Sequence, residues 1–590
     1  MVFLDVETTG HKYDEYEHHT FKLASTCYVR RRDREGFVTE KWSDWYSSGA
    51  LCWYLEMLCR QKTSLYLFGH NVFIDLQGSG FFRHFKEQGW VLNFIYDSGL
   101  TYLLVIRKEK RTIKVISTTT YFQASVKDLG KMLDLPKLEV DFASVSSADL
   151  LTYCKRDVEI IKLAMEKYFS MIEENDLGRF SLTKASQAFT AFRHRFMKVK
   201  VSLHRHPEAV ELERACYMGG RTEAFRLGSI KDGPFVLLDI NSMYPFVMST
   251  SSVPVRLTYM EDNPNPERVR RLLPHNAVQA EVDLTTDEPA YSIHHNGRIC
   301  FPVGSFTAFL GTTGLKYALE HNHVKQIKRL AWYDRAIVFN DYVHFFYNLR
   351  KHYQAEKNPI FALMSKDLLN TLYGKFGQYK PIIEESEEID GPDYERVEVI
   401  DLVKGVKLVE YKLLNKRFTE IGKEEGSNSF VAISAHITET ARFMLWDFIK
   451  EVGRSRVLYT DTDSLWIRER DLPRLQHRID PSLLGALKIA ERSEKLIISG
   501  AKHYETDKGT KLKGVPKKAK RLDSRTYEYQ QFLRQKEHLR KSVIEGFLIK
   551  TVTKRISGVY SKGVVTRSGL VQPFLLQSPS IPSLLPPPSS

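Results

Sequence analysis

Asp5 and Glu7 stand two residues apart in the apolar run Val2–Glu7, a spacing that on a strand sends both carboxylates to one face. Two hard oxygen ligands on one face suit Mg²⁺ or Mn²⁺. Asp75 closes the segment Gly69-His70-Asn71-Val72-Phe73-Ile74-Asp75, and Tyr153 and Asp157 lie four apart, which on a helix is a single face. Asp157 is followed by Val158, Ile160 and Ile161, an apolar setting for a charge. A lone D-x-E pair is usually a surface feature. Four carboxylates can do more: hold two metal ions, one generating hydroxide from water and one stabilising a leaving oxygen.

A second set lies downstream. Phe235-Val236-Leu237-Leu238-Asp239 reads as a buried strand ending in a carboxylate, which costs on the order of several kcal/mol unless paired or metal-bound. Tyr459-Thr460-Asp461-Thr462-Asp463-Ser464 predicts two more carboxylates on one strand face. Asp239 and Asp463 together can hold two Mg²⁺ ions, one activating a hydroxyl and the other binding a triphosphate. Lys366, Asn370 and Tyr373 fall at i, i+4 and i+7, one helical face. The lysine is a point charge for phosphate, the tyrosine a flat surface for a base pair, and Gly374 permits close approach. Arg350 on the preceding helix is the nearest further cation, with Lys351 and Lys357 behind it.

These residues need a frame. Strand and helix patterns mix from residue 1 to about 165, ending in a long helix predicted after Ser146-Ser147. Residues 181–230 read as mostly helical and lead through Tyr217-Met218-Gly219-Gly220 into the strand Phe235 to Ile240. Residues 255–345 read as mixed and irregular. Helices are predicted around 341–357 and 361–376, followed by a charged segment, 379–425, whose alternation over 397–403 and 406–413 predicts strands and hairpins. A helix over 431–452 leads to one strand from Val457 to Ile467. The uncharged stretch from Ser568, broken by prolines, reads as a disordered tail.

At 590 residues the chain exceeds a single hydrophobic core and implies several domains. A net charge of +14 points to a polyanionic partner, and residues 502–555 carry most of it, with 16 Lys/Arg against 6 Asp/Glu. Cys27, Cys52, Cys59, Cys154, Cys216 and Cys300 show no paired spacing, which argues for reduced thiols in a reducing compartment rather than a disulfide framework or zinc site. No signal-peptide pattern and no apolar run of bilayer length are present, so no membrane partner is expected.

The three acidic segments of the N-terminal third, in this order and spacing, resemble the Exo I, Exo II and Exo III motifs of DnaQ-like proofreading exonucleases. The resemblance implies Asp5, Glu7, Asp75 and Asp157 as metal ligands and Tyr153 as the residue orienting the attacking water. It implies Asn71, Thr8 and His70 as contacts to the 3′-terminal nucleotides. Ser125, in Ser125-Val126-Lys127-Asp128-Leu129, resembles a substrate-contact segment with Val126 in place of a usual Leu. Ile74 stands where relatives often carry an aromatic, so a stacking contact is expected to be missing.

Asp239-Ile240-Asn241-Ser242-Met243-Tyr244-Pro245, the 366–377 helix and Tyr459 through Ser464 resemble motifs A, B and C of family B DNA polymerases. By that resemblance Asp239 and Asp463 are the principal metal ligands, Asp461 assists, and the Ile240 carbonyl completes a metal shell. Tyr244 would lie beneath the incoming sugar and exclude a 2′-OH, with Arg350, Lys366, Asn370 and Tyr373 binding the nucleotide. Tyr217, Gly219 and Gly220 look like the family's Y-x-G-G template segment, and Lys502 and Tyr504 like its K-x-Y motif at the primer terminus. Gly374 and Thr462 are carried over as DNA contacts.

The implied fold is a multidomain α+β and α/β chain, a DnaQ-like (RNase H-like) exonuclease followed by a right-hand polymerase with insertions. Its expected division is 1–180 exonuclease, 181–254 linker and first palm segment, 255–340 a first insertion, 341–378 fingers, 379–425 a hairpin insertion, 426–510 second palm segment, 511–565 basic thumb, and 566–590 a disordered tail. A chain starting at the exonuclease, Y-x-G-G, and insertions flanking motif B look like the protein-primed subgroup of phages, adenoviruses and linear plasmids. That subgroup implies templated dNTP addition with 3′→5′ proofreading, strand displacement and two Mg²⁺ or Mn²⁺ ions per site. Its partners would be primer-template DNA, dNTPs and a terminal protein, and the chain a monomeric, intracellular viral or plasmid replicase. The alternatives are a nucleic-acid-primed family B polymerase and a DNA-binding exonuclease lacking polymerase activity. Retention of Asp239, Asp463 and Lys366 argues against the latter, and Tyr244 with the motif B helix against an RNA-templated or primase-like enzyme.

Overall fold

The computed structural model describes residues 1–577 except 32–37, 143, 387–392 and 402–405. The strand Val2–Tyr13 lies between Tyr16–Arg31, antiparallel, and Ser64–Gly69, parallel, and the sheet continues through Arg111–Ser117, Thr101–Lys108 and Val91–Ser98. Its first half buries Val2, Phe3, Leu4 and Val6 on both faces, as a central parallel strand does. The helix Ser147–Glu174 packs against it. Ser146 caps that helix by accepting a hydrogen bond from the Asp149 amide, and Tyr153, Asp157, Ile160, Ile161 and Ala164 turn inward.

The same sheet extends into the basic region. Phe547–Arg555 pairs with the outer end of Tyr16–Arg31, Thr526–Phe532 pairs with Phe547–Arg555, and Lys520–Arg521 follows; Val38–Trp45, paired with the other end of Tyr16–Arg31, makes the tenth strand. A second sheet, of five strands, runs Leu487–Ser493, Phe235–Ile240, Ser464–Arg468, Val457–Asp461 and Thr222–Ala224. Val236, Leu238 and Ile240 join it to the largest core, which also contains most of the helix Val431–Val452. The expected single strand from Val457 to Ile467 is instead a hairpin. Asp461 pairs with Ser464 around the two-residue turn Thr462-Asp463, in which Thr462 takes φ 65°, so Asp461 ends a strand, Asp463 lies in the turn, and the two do not share a strand face.

Residues 255–340, expected to be irregular, build a regular sheet from Val253–Asp262, Val324–Ala336, Ala277–Thr286 and Val303–Gly311. Its pairings join distant segments and carry bulges that break the local alternation, which hides the strands from periodicity. Asn340–Ala355 and Pro359–Phe376 make a helical hairpin. Lys357 turns it at φ 56°, Asn358 caps the second helix and Pro359 occupies its first position.

The 379–425 segment forms a four-stranded sheet in the order Tyr379–Ser386, Lys416–Glu425, Val406–Leu413, Glu395–Asp401. The predicted strand over 397–403 starts at Glu395, and its last residues lie outside the described ones. Its inner hairpin turns through Leu414 and Asn415, both at positive φ, and a leucine there is strained. Burial offsets the strain: Tyr394, Leu413 and Leu414 are inserted into the core of the N-terminal unit. Asn415 donates from Nδ2 to the Lys86 and Trp90 carbonyls at 2.8 and 3.0 Å, and Leu92 N donates to Leu414 O at 3.0 Å.

The expected tail is corrected over its first part. Val564–Val565 pairs with Val571–Gln572, and Leu575–Leu576 adds a fifth strand, parallel to Val303–Gly311, as its main chain pairs with an open sheet edge. The prolines from Pro579 onward lie outside the described residues. All six cysteines are buried and free. Among the described residues no helix is long and apolar enough to cross a membrane.

Candidate active sites

The first acidic cluster gathers on the inner face of the N-terminal sheet. Asp5 and Glu7 come from the first strand, Asp75 from the short helix Phe73–Gly78 and Asp157 from Ser147–Glu174. Asp75 and Asp157 are 5% and 4% exposed, and Asp75 Oδ1 accepts a hydrogen bond from Val6 N at 3.2 Å. Oδ2 of Asp5, Oδ2 of Asp75 and Oδ1 of Asp157 are buried without a hydrogen-bond partner. Burial, and then Glu7 beside it, holds the Asp5 carboxyl well above the usual carboxylate range; burial first and then Asp157 push Glu7 up to about 7. Orphaned carboxylate oxygens crowded in this way fit divalent cations, which would restore the lost solvation and screen the repulsion. The Cys154 thiol is near Asp5 and Glu7, but burial keeps it protonated and it donates to the Asp5 carbonyl at 3.3 Å.

Lys137 completes this cluster and was not singled out by the sequence. Its ammonium pairs with Asp157 and lies 4.3 Å over the Tyr153 ring. It comes from an irregular segment whose return to the helix has no local signal. Thr8 Oγ1 is 3.1 Å from His19 Nδ1, and His70 Nδ1 is 3.0 Å from Thr118 Oγ1, with burial lowering the His70 imidazole to about 4. Asn71 is exposed at φ 62° and donates its amide to Ser117 Oγ. His70, Asn71 and Ile74 line a cavity of about 430 Å³ that also receives Phe532 and Arg534 from the basic region. Phe532 is 51% exposed, so an aromatic ring faces the place where Ile74 lacks one. Ser125 is spent locally: its hydroxyl caps the helix Val126–Met132 and donates to Asp128.

The second cluster sits at one end of the five-stranded sheet. Asp239 ends its strand opposite Ser464 and pairs with Lys488 at 2.8 Å. The turn after Asp461 puts Asp463 next to Asp239, and burial, then the Asp239 charge, push the Asp463 carboxyl up to about 6. Ile240 N donates to Asp463 O at 2.8 Å, which locks the two segments together. Asp461 faces the other way, toward Thr222 Oγ1 and Lys502 Nζ, both at 3.1 Å, and Lys511 at 3.8 Å. Lys488 and Lys511 were not expected here; each arrives from a distant strand.

Above the carboxylates, Tyr244 and Tyr373 stack with centroids 4.8 Å apart at 21°. Gly220 is required beneath them, because a Cβ there would lie 2.7 Å from Thr462 Cγ2 and 3.1 Å from the Tyr244 hydroxyl. Tyr217 packs equally close to Gly377. Buried Arg442, a residue sequence reasoning passed over, donates from Nη1 to the Met218 and Gly219 carbonyls at 2.7 and 3.0 Å and so fixes that loop. Lys366 is exposed on the Tyr373 side of its helix, with Asn370 between, and among the described residues neither Lys366 nor Arg350 has a carboxylate partner. Lys351 instead donates to the Ser482 carbonyl. Gly374 has open space around its Cα. Tyr504 is a correction: at 6% exposure its ring is packed against Tyr459 and Trp466, and the neighbouring Lys502 carries the reach toward the site.

Two acidic centres on one chain, one in a nuclease-like sheet and one at the end of a five-stranded sheet, have a solved counterpart. The fold is similar to that of Phi29 DNA polymerase, with a TM-score of 0.66 over 94% of this chain and 99% of that one at 15% identity. The chain thus has the exonuclease-plus-right-hand architecture of the B-family polymerases. Residues 143–453 match the family described as DNA polymerase type B, organellar and viral, and the chain belongs to that family. Similar proteins include a probable DNA polymerase of Neurospora intermedia, 23% identical over 60% of this chain and 37% of that protein. The DNA-directed DNA polymerase of Enterobacteria phage PRD1 is 25% identical over 63% of this chain and 62% of its own length. The matches thus span from about a third to about two thirds of these relatives.

Proposed function

We propose that the chain is a template-directed DNA polymerase that proofreads its product with a separate 3′→5′ exonuclease centre. The observation that carries this is the meeting of Asp239 and Asp463 at one sheet end below the Tyr244–Tyr373 pair, with Asp461 on the adjoining strand. Asp239 and Asp463 face each other and would hold divalent cations, which when bound lower the pKa of a primer 3′-OH and stabilise a pyrophosphate leaving group. Exposed Lys366 and half-buried Arg350 offer cations for the triphosphate. Tyr373 presents a flat face to the base pair, and Tyr244 floors the sugar. In the N-terminal cluster Asp5, Glu7, Asp75 and Asp157 would hold a second pair of cations, with Tyr153 and Lys137 orienting water. Phe532 supplies the stacking surface that Ile74 does not.

Solved relatives in fold are titled as complexes with primer-template DNA and incoming nucleotides, and we assign the same partners here. Docking of the 379–425 sheet onto the N-terminal unit, and of the basic strands onto the same sheet, supports a path closed around DNA. On that basis we extend the reading to a monomeric, strand-displacing replicase primed by a terminal protein, working in a reducing intracellular compartment of a viral or plasmid host.

Asp463→Asn should abolish nucleotide addition to a primed template and leave degradation of single strands intact. Asp5→Ala with Glu7→Ala should do the reverse. Primer extension by Asp463→Asn at near wild-type rate would overturn the assignment of the polymerase centre.

A further inference from the structure

The outer strand of the five-stranded sheet, Thr222–Ala224, is its shortest and is buried along its whole length. Thr222, Glu223 and Ala224 are 7%, 4% and 1% exposed. A buried strand edge presents main-chain N–H and C=O groups that must find partners. Among the described residues no sixth strand covers this edge along Thr222–Ala224. Side chains from residues 560–562 cover it instead. The Tyr560 hydroxyl accepts from Ala224 N at 2.9 Å, and the Lys562 ammonium donates to Thr222 O at 2.9 Å. The chain then runs on beside residues 225–227. Leu227 N donates to Gly569 O at 2.7 Å, and Val571 N to Phe225 O at 2.9 Å. Gly569 takes φ +79°, and a Cβ there would collide with the Leu227 carbonyl. Beyond it, Leu575–Leu576 joins the sheet of the 255–340 unit. Residues 560–576 are a strap that crosses the edge and is tied at both ends.

The inner side of the same strand touches the chemistry. Thr222 is the ladder partner of Asp461, and its hydroxyl donates to Asp461 Oδ1 at 3.1 Å. Lys502 Nζ shares that oxygen, also at 3.1 Å, and Lys511 Nζ stands 3.8 Å from Oδ2. Thr222 is therefore held at its carbonyl by Lys562 while its hydroxyl, together with Lys502, fixes Oδ1 of Asp461. From this geometry we infer that Lys562 is a positioning residue for nucleotide addition, acting through Thr222 on Asp461. The strap is part of the catalytic frame. This rests on the polymerase reading above.

The test compares Lys562→Met, Lys562→Arg, Thr222→Val and the double variant Lys562→Met/Thr222→Val in single-turnover nucleotide addition. Single-strand degradation by the same preparations is the internal control. Lys562→Met should slow addition about tenfold or more, with the apparent dNTP affinity changed much less and degradation unchanged. Lys562→Arg should recover most of the rate. The double variant should be no slower than the slower single one, since both break one chain of contacts. Wild-type rates in Lys562→Met, or additive losses in the double variant, overturn the inference. If Lys562→Met does not fold, Thr222→Val alone carries the test, and a wild-type rate there overturns it equally. The polymerase reading fails separately, through an active Asp463→Asn. Inactive Asp463→Asn beside fully active Lys562→Met removes the strap's role and leaves that reading in place.

Discussion

Tyr244 meets Tyr373 as one flat wall, and that pairing decides what a substitution there does. The stack fixes the Tyr244 ring, and Gly220 with Thr462 closes the space beneath it, so the ring cannot retreat from a 2′-hydroxyl. Tyr244→Val should raise ATP relative to dATP incorporation by an order of magnitude or more, as relief of a clash of about 1.4 kcal/mol or more predicts. Unchanged discrimination in a steady-state comparison of the two nucleotides would remove Tyr244 from that role. The carboxylates make a second residue-level prediction. Glu7 and Asp463 have folded-state pKa values raised to about 7 and about 6, chiefly by burial. A raised carboxyl pKa means the fold favours the proton. These groups therefore stabilise the metal-free protein below about pH 4 and cease to do so as the pH rises through about 6 to 7. Divalent cations bind the ionised form, so the gain in melting temperature on adding Mg²⁺ should be larger at about pH 8 than at about pH 5. Glu7→Gln with Asp463→Asn should flatten that difference, and equal gains at both pH values in the unmodified protein would contradict the assignment.

At the scale of elements, the 379–425 sheet is anchored at several points, among them Tyr394 on Gln77, Asp393 on Lys86 and Glu425 on Arg214. Its tip places Leu414 and Asn415 at positive φ and is repaid by the buried leucines and the two carbonyls that Asn415 holds. Removing 384–415 outright would also take Tyr394, Leu413 and Leu414 from the core of the nuclease-like unit, so a finer cut is better. Asn415→Gly forfeits two hydrogen bonds, about 1 kcal/mol each, keeps the positive φ of the turn, and should loosen the closure without touching the sheet's own ladder. Single-nucleotide addition should stay the same, while products made in the presence of a DNA trap should shorten. Product lengths equal to wild type would mean that the tip contributes nothing to DNA retention.

Across these elements the sequence was legible where signals are local. The long helix after Ser146, the helical hairpin with Asn358 and Pro359, and the strand ending at Asp239 follow from caps and periodicity over a few residues. The acidic segments were legible for the same reason. What escaped were contacts made across long stretches of chain. Arg442 reaches Gly219 over 223 residues and Lys562 reaches Thr222 over 340, and no spacing rule connects such pairs. The turn at Thr462 was misread as strand because Leu458 and Leu465 continue the apolar pattern on both sides of it.

For the whole molecule, charge is concentrated where the ten-stranded sheet ends. Lys517, Lys518 and Lys520 are exposed there, and among the described residues they have no carboxylate partner. Replacing all three by alanine should weaken binding of primer-template DNA equally for every sequence. It should also reduce the slope of log affinity against log salt by up to about 3. A salt slope identical to wild type would show that these lysines do not meet phosphates.

The continuous ladder from Val2–Tyr13 through Tyr16–Arg31 to Phe547–Arg555 also limits how this protein can be taken apart. Tyr16 through His19 give the basic strands their inner partner, and Gln77, two residues beyond Asp75, hydrogen-bonds both Tyr394 and the Val543 carbonyl. The N-terminal unit is thus scaffolding for the basic strands as well as the seat of one acidic cluster. A shortened variant made by excising it would leave an unpaired strand edge and an open core on the remainder, a surface prone to association. Silencing that centre calls for single substitutions, and exchange of whole units between relatives should succeed only when the first and last portions of the chain are exchanged together.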